Sequence, residues 1–308
     1  PVEDDVVERS HVPTRTHLVL LHPPSTRDPR GTRRWLAPRA VDRHHHVRID
    51  RTADVDRVAR LVLGRGIGLV FSGGGARGVA GIGVLRALRE LGVPYDAVGG
   101  VSIGALIGGG AARDQSIDEM VDLLRRAVVD GSPFDVTFPA VSLAAGKRVT
   151  RQLQLAAEGL DIEDGWRPYF CVSTNLTRGR LEIHREGPGW YAIRASFSIP
   201  GVFPPVRTSA GDLLVDGGVL DNLPVHTLSV RGEGPVIAVD VTERLEKPPH
   251  EGPPPIKDIL VRAVTLGSSD TQEAARDASL VTRPDNNGTG VFEWHQSDEV
   301  REAGRRAT

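Results

Sequence analysis

Short apolar runs that end in glycine-rich turns, each followed by a helix-forming segment, recur through the middle of this sequence. Ile67–Phe71 leads into Ser72–Gly78, and Ala97–Gly99 leads into Gly100–Gly104. Uninterrupted apolar runs of this length are typical of strands buried on both faces. Because strands alternate with helices, the sequence predicts an α/β fold with a mostly parallel central sheet and helices on both faces.

Other segments extend this prediction toward the end of the chain. Tyr169–Val172 and Val236–Val239 are further buried strands, and Ser116–Glu119 is a capping box that begins a helix. The proline-rich residues 246–255 predict a stiff linker. After it we expect a helix over 256–278, a last strand over 278–281 and a closing helix over 297–306.

Length and composition limit the class of protein. The 308 residues allow one large domain with a small appendage, and the single Cys171 excludes a disulfide scaffold. No apolar run reaches the ~18 residues that span a bilayer. The chain starts at Pro1 without a secretory segment, so we expect a piece of a longer cytoplasmic protein that can bind peripherally at the inner face of the cell membrane.

We place a domain boundary near residue 65. Residues 1–65 form an irregular, Arg-rich segment that we take as the remnant of an upstream region, and 66–308 form the main domain. Within 27–65, eleven arginines face five aspartates. This stretch, which includes Trp35, indicates either a surface that contacts anionic lipid headgroups or, more simply, a solvent-exposed face. Three adjacent histidines, 44–46, alternate faces on a strand, which argues against a metal site.

The pattern Gly100-x-Ser102-x-Gly104 lies between a predicted strand and a predicted helix. A nucleophile elbow requires this setting, because its serine occupies a strained turn between small neighbours. The start of the following helix would also favour an oxyanion at the serine. A plain helix-start turn remains the alternative interpretation.

The run Gly73-Gly74-Gly75-Ala76-Arg77-Gly78 also has two interpretations. It matches the dinucleotide-binding pattern, which requires an acidic residue about 20 positions on, and Asp96 is the only candidate. Alternatively, backbone N–H groups of the glycines face an anion, which beside a nucleophilic serine is the tetrahedral oxyanion.

A serine nucleophile needs a base. Asp216 ends the apolar run Leu213–Val215 and precedes Gly217 and Gly218, so it is either a buried base or a turn former. The histidines that follow, His226, His250 and His295, have no comparable setting.

Together these motifs resemble the patatin-like phospholipase family. Four of them, at 73–78, 100–104, 195–200 and 216–218, stand in the family's order and spacing, over roughly residues 66–245. The segment with residues 32–36 and 44–48 resembles the one that precedes this domain in the neuropathy target esterase branch. Bacterial members of that branch often carry an upstream cyclic-nucleotide-binding module.

The resemblance implies a three-layer α/β/α fold and a serine esterase that cleaves acyl esters of phospholipids or lysophospholipids at a membrane surface. Ser102 would be the nucleophile, Asp216 the proton acceptor, and Gly73, Gly74 and Gly75 the oxyanion hole. Arg77 would contact the substrate phosphate or anchor the loop. The remaining motif glycines are Gly78, Gly100, Gly104, Gly217 and Gly218. No cofactor, metal or nucleic acid is expected. A nucleotide-binding domain and an acyltransferase with the same dyad remain alternatives, and Phe197, Ile199, Val202 and Phe203 are candidates for an acyl groove.

Overall fold

A computed structural model describes most of the chain. The described residues are 15–126, 135, 137–138, 141–229, 234–242, 256, 259–260, 275–285 and 288–308. The predicted linker at 246–255 lies outside them, as does most of the helix expected over 256–278. Ile256 and Ile259–Leu260 are helical, whereas 275–278 form a turn, so the expected C-terminal end of that helix is wrong.

One eight-stranded mixed sheet forms the centre of the molecule. Its strands are β3 (Gly68–Phe71), β4 (Ala97–Val101), β5 (Tyr169–Asn175), β6 (Arg180–His184), β7 (Val206–Arg207), β8 (Leu213–Asp216), β9 (Val236–Val239) and β10 (Leu280–Thr282). The strand order is β10-β9-β3-β4-β5-β8-β7, and β6 also pairs with β5. The pairs from β10 through β5 are parallel, while β6, β7 and β8 pair antiparallel. This confirms the mostly parallel sheet and adds an antiparallel region.

Helices cover both faces of the sheet. They are α3 (Ala80–Glu90), α4 (Ile103–Ala112), α5 (Ile117–Leu124), α6 (Lys147–Ala157), α7 (Gly189–Ser196), α8 (His226–Ser229) and α9 (Ser297–Arg306). Leu69 and Phe71 of β3 pack with side chains of α3, α4 and α9, while Val70 packs on the opposite face beside Leu228 of α8. Because β3 is buried on both faces, its apolar run shows no alternation. The α/β/α layering predicted above is therefore confirmed.

The first 65 residues are more regular than expected. The described part contains β1 (His17–His22), α1 (Arg33–Leu36), β2 (Arg43–Arg48) and α2 (Thr52–Val62), and β1 pairs parallel with β2 in a separate two-stranded sheet. The expectation of an irregular segment was therefore wrong.

Arginines of this segment are used largely in internal ion pairs. The buried Arg57 contacts Asp54 at 2.7 Å. Arg48 contacts the same carboxylate, and its guanidinium lies 4.0 Å from the centre of the Trp166 ring. Asp54 therefore has a pKa below its usual range, against the opposing effect of burial. These groups hold the segment together and dock it on the main domain.

The three adjacent histidines divide between two faces of β2. His45 stacks on His17, and their ring nitrogens lie 2.8 Å apart. His44 and His46 share the other face, where both contact the Glu163 carbonyl oxygen. Burial lowers the pKa of His46 to about 3, so this ring is neutral at the interface.

Helices α3 and α9 pack with their backbones in contact. A Cβ at Gly83 would lie 1.9 Å from the Arg301 carbonyl oxygen, and one at Gly304 would lie 2.0 Å from that of Ala80. Backbone cannot move aside as a flexible side chain can, so even one methyl group must separate the helices.

We therefore expect Gly304→Ala to destabilise the protein by about 3 kcal/mol, the upper part of the range for overpacking. Glu299→Ala, on the exposed side of the same helix, should change stability by less than about 0.5 kcal/mol. Urea unfolding of both variants checks this. Equal unfolding midpoints for the two would contradict the close helix packing.

Candidate active site

Two strands that meet end to end on β5 bring Ser102 and Asp216 together. Strand β6 occupies one edge of β5 over residues 171–175, so β4 and β8 must both lie on the other edge. Along that edge, β4 ends with Val101 opposite Val172, and β8 ends with Asp216 opposite Ser173. Since β4 runs parallel and β8 antiparallel to β5, their C-terminal ends converge at neighbouring positions.

Ser102 occupies a strained turn between β4 and α4. Its φ of 56° and ψ of −124° are rare for a residue with a side chain. A Cβ at Gly100 would lie 2.4 Å from the Gly104 carbonyl oxygen, and one at Gly104 would lie 2.4 Å from that of Phe71. Glycine is therefore required on both sides of the serine, as a nucleophile elbow needs.

Asp216 is buried beside that serine, with an exposed fraction of 3% against 5% for Ser102. The Gly218 N–H donates to its Oδ1 at 2.8 Å, and the Ser102 hydroxyl is in hydrogen-bonding contact with the carboxylate. Burial raises the pKa of Asp216 to about 6, although both hydrogen bonds act in the opposite direction. A carboxylate with this pKa is a stronger base than an exposed one and is still deprotonated at pH 7.

The C-terminal end of α7 and the turn that follows it hold Ser102 and Asp216 in place through hydrogen bonds. The Ser102 N–H donates to Ser196 Oγ at 2.8 Å, and the Asp216 N–H donates to the Ser198 carbonyl oxygen at 2.9 Å. Arg194 fixes this turn, because its guanidinium donates to Ser198 Oγ and to Thr150 Oγ1. From the sequence, residues 195–200 were recognised only as one of the four motifs of the resemblance, and no role was predicted for Ser196 or Ser198.

The three candidate oxyanion-hole glycines differ in their backbone partners. The Gly73 N–H donates to the Asn222 carbonyl oxygen at 3.2 Å. Within the part of the chain that the structure describes, the amides of Gly74 and Gly75 donate to no protein acceptor. Gly75 has a φ of 58°, a region that favours glycine. Of these three glycines, Gly74 and Gly75 therefore have N–H groups that no acceptor among the described residues occupies and that are available to an oxyanion.

Asn222 connects the glycine loop to the segment after Asp216. Its side-chain amide donates to the Gly73 carbonyl oxygen at 3.3 Å and to Thr242 Oγ1 at 3.2 Å. A Cβ at Gly73 or at Gly218 would lie within 2.8 Å of the Asn222 Oδ1. Sequence reasoning missed this residue, because a lone asparagine in a loop carries no distinctive pattern.

Two further motif glycines are also places of close approach. A Cβ at Gly78 would lie 2.1 Å from Ile103 Cγ2, and one at Gly217 would lie 2.5 Å from the Val172 carbonyl oxygen. Arg77 is buried, and its Nε lies 3.5 Å from the Gly74 carbonyl oxygen. These contacts place Arg77 within the loop rather than at an open surface.

The histidines that follow Asp216 in the sequence and the acidic residue of the nucleotide-binding alternative take no part in the Ser102–Asp216 contact. His226 has a 71% exposed side chain and lies 3.7 Å from Asp277, His295 is exposed, and His250 is outside the described residues. Asp96, which a dinucleotide site would need for the ribose, accepts two hydrogen bonds from Arg60 and one from the Ile67 N–H. Its carboxylate joins α2 to β3 and is not available to a nucleotide.

One half-buried histidine escaped the sequence analysis. His184 Nε2 lies 2.8 Å from Ser173 Oγ, and Ser173 is the backbone partner of Asp216. Burial lowers the pKa of His184, so the ring is neutral at pH 7.

Comparison with protein families decides the relationship of the chain. The family "Patatin-like phospholipase" matches residues 69–229, more than half of the sequence, and "Neuropathy Target Esterase family P-loop like domain" matches residues 4–63. The chain belongs to the patatin-like phospholipase family. The second match confirms the resemblance to the neuropathy target esterase branch.

Relatives from a fungus and an animal each match about three quarters of the chain. "Lysophospholipase NTE1" of Mycosarcoma maydis is 37% identical over 287 residues, covering 74% of this chain and 15% of that protein. A patatin-like phospholipase domain-containing protein of Caenorhabditis elegans is 36% identical over 278 residues, covering 75% of this chain and 20% of that protein. The patatin-like chain described here thus spans a fifth or less of the length of these two relatives.

A solved structure supports the fold. VipD from Legionella pneumophila has a TM-score of 0.50 at 14% identity, covering 79% of this chain and 66% of that one. The patatin-like architecture is thus preserved at low sequence similarity. In the described portion of this chain, no helix is both long and apolar enough to cross a bilayer.

Proposed function

We propose that this patatin-like domain hydrolyses acyl esters of phospholipids or lysophospholipids with a Ser102–Asp216 dyad. The observation that carries the proposal is the buried contact between a serine in a strained elbow and a carboxylate whose pKa is raised to about 6. The family, and the relatives named as lysophospholipases, support this substrate class.

In the first half-reaction, Asp216 takes the hydroxyl proton while Ser102 Oγ attacks the carbonyl carbon of the ester. The negative charge that forms on the carbonyl oxygen is stabilised by the N–H groups of Gly74 and Gly75 and by the N-terminal end of α4. The bond to the alcohol oxygen then breaks, and protonated Asp216 gives its proton to that oxygen. An acyl-enzyme on Ser102 and a free alcohol result.

In the second half-reaction, water replaces the alcohol. Asp216 accepts a proton from the water as its oxygen attacks the acyl carbon, and the same oxyanion site is used again. When the intermediate collapses, the proton returns to Ser102 Oγ and the fatty acid leaves. One carboxyl group thus serves as base and acid in turn, as its pKa of about 6 permits near neutral pH.

Arg77 belongs to this proposal as an anchor of the glycine loop. Its burial and its contact with the Gly74 carbonyl oxygen favour that role over binding of a substrate phosphate. Asn222 holds the same loop from the other side, and the Gly73 amide is engaged with it. We therefore omit Gly73 from the proposed oxyanion hole.

The proposal predicts covalent labelling of one residue. An alkyl fluorophosphonate should add to Ser102, since its phosphorus resembles the tetrahedral intermediate, and intact-mass and peptide analysis should locate the adduct there. Mixed phospholipids and lysophospholipids should release fatty acid, with Ser102→Ala protein as the blank. Absence of labelling at Ser102 in the folded wild-type protein would overturn the proposal.

A further inference from the structure

The loop between α5 and α6 carries an exposed apolar tip. The Thr137 N–H donates to the Leu143 carbonyl oxygen at 3.2 Å, so the loop folds back on itself at this point. Between these two residues lie Phe138 and Val141, whose exposed fractions are 85% and 70%. Neighbouring apolar side chains with this exposure indicate a surface that binds an apolar partner.

Basic side chains follow this tip at the start of α6. Lys147, Arg148 and Arg151 are exposed in the first two turns of the helix. Because residues three and four apart are neighbours on a helix surface, Arg151 lies on the same side as the other two cations. Leu155, with an exposed fraction of 62%, extends this side by one turn. The surface therefore combines apolar side chains with a row of positive charges.

The positive charge of this surface exceeds its negative charge. Residues 135–155 contain three basic side chains and one acidic side chain, that of Asp135. The Asp135 carboxylate accepts hydrogen bonds from the N–H groups of Gly146 and Lys147, at 2.7 Å and 2.9 Å, and so caps the start of α6. The cations thus outnumber the acid, and the acid is engaged with the backbone.

The same loop is attached to the turn that follows α7. The Leu143 N–H donates to the Gly201 carbonyl oxygen at 2.8 Å. Ala144 packs in a core cluster with three of the residues that the sequence suggested for an acyl groove, and the fourth packs against that cluster: Ile199, Val202, Phe203 and Phe197. These residues surround Ser198, whose carbonyl oxygen accepts the Asp216 N–H. A partner bound to the loop is therefore held close to the turn that positions the proposed catalytic residues.

We propose that six exposed side chains form a membrane-binding surface for bilayers that contain anionic lipids: Phe138, Val141, Lys147, Arg148, Arg151 and Leu155. The apolar side chains enter the layer between headgroups and acyl chains, while the cations contact the anionic headgroups. A bilayer surface presents the same combination, with charge outside and hydrocarbon beneath it. The surface gives a location to the peripheral membrane binding expected from the sequence. It contains neither Ser102 nor Asp216, so it does not depend on the esterase proposal.

Binding to vesicles, measured by cosedimentation, tests the apolar part of this surface. Every protein carries Ser102→Ala, so that the vesicles stay intact. Phe138→Ser should lower the partition coefficient about tenfold, because a phenyl ring no longer leaves water on binding. Leu91→Ser is the matched control: Leu91 is 65% exposed, and it precedes β4 whereas Ser102 follows that strand. Its partition coefficient should stay within about twofold.

Charge is tested with two kinds of vesicle, phosphatidylcholine alone and phosphatidylcholine mixed with phosphatidylserine. Arg151→Gln should weaken binding to the mixed vesicles about fivefold, the contribution of one basic residue near an anionic membrane. On phosphatidylcholine alone, the change should be within about twofold. Arg65→Gln alters an exposed arginine just before β3 and should change neither value by more than about twofold. Added salt should reduce the difference between the two vesicles.

A fluorescent label gives a second readout that reports depth in the bilayer. Cys171 is the only cysteine of the chain and is buried, so Phe138→Cys or Leu91→Cys provides a single reactive thiol in the folded protein. An environment-sensitive dye at position 138 should shift its emission to shorter wavelength when mixed vesicles are added. The same dye at position 91 should show no shift.

Thermal melting first establishes that each variant is folded. Weaker binding of Phe138→Ser and Arg151→Gln alone, together with the shift at position 138, supports the proposal. Equal binding of all variants, an equal loss in the two controls, or no binding of the Ser102→Ala protein to either vesicle overturns it. If Phe138→Ser instead abolishes self-association in sedimentation while vesicle binding is unchanged, the surface contacts a second copy of the chain and the proposal is wrong.

Discussion

Ser102→Ala and Asp216→Asn are each expected to lower kcat/KM for ester hydrolysis by about four orders of magnitude while the protein remains folded. This is the order found when one member of a serine nucleophile–base pair is removed, because the remaining partner cannot act alone. For the same reason, the double variant should be no slower than either single variant. Initial rates with p-nitrophenyl octanoate, together with thermal melting, check this.

Histidine variants provide the control for this experiment. His226→Ala, His250→Ala and His295→Ala should retain activity within about twofold. His184→Asn is a stricter control, because that ring lies behind Ser173, opposite Asp216. If any of these changes were as damaging as Ser102→Ala in a folded protein, the base would be a histidine and the dyad would be wrong.

Local patterns in the sequence were sufficient to predict much of the parallel part of the fold. Val236–Val239 is the strand that its apolar run indicated, and the Ser116–Glu119 capping box is present with both of its hydrogen bonds. Each of these patterns depends on a few neighbouring residues, so no knowledge of distant contacts is needed. The elbow at Ser102 is predictable for the same reason.

Such local patterns could not predict contacts between segments that are distant in the sequence. The short strand β7 and the sharing of one β5 edge by β4 and β8 depend on pairing across the chain. The roles of Ser196 and Asn222 arise from hydrogen bonds to residues 94 and 149 positions away. In the N-terminal segment, runs of arginine suggested a solvated face, whereas partners such as Asp114 and Trp166 come from the main domain.

The raised pKa of Asp216 has opposite consequences for activity and for stability. Only the carboxylate form can accept the Ser102 proton, so kcat/KM should rise about tenfold per pH unit up to about pH 6 and then become constant. For folding, a carboxyl pKa above its ordinary value of 3.8 means that the folded state binds the proton more tightly than the unfolded state. The buried carboxylate therefore costs nothing below about pH 4, and its cost grows to about 3 kcal/mol above pH 6.

Asp216→Asn removes that charge and can keep the Gly218 hydrogen bond through its amide oxygen. We expect the variant to be more stable than the wild-type protein by up to about 3 kcal/mol at pH 8 and to match it near pH 4. Urea unfolding of both proteins across this range gives the difference directly, since acid effects on other carboxylates cancel in the comparison. A stability difference that does not change with pH would contradict a raised pKa, and the proposed base would then lack the basicity that the reaction needs. A difference that grows with pH while activity is lost would show that the folded protein gives up stability in order to hold this carboxylate beside Ser102.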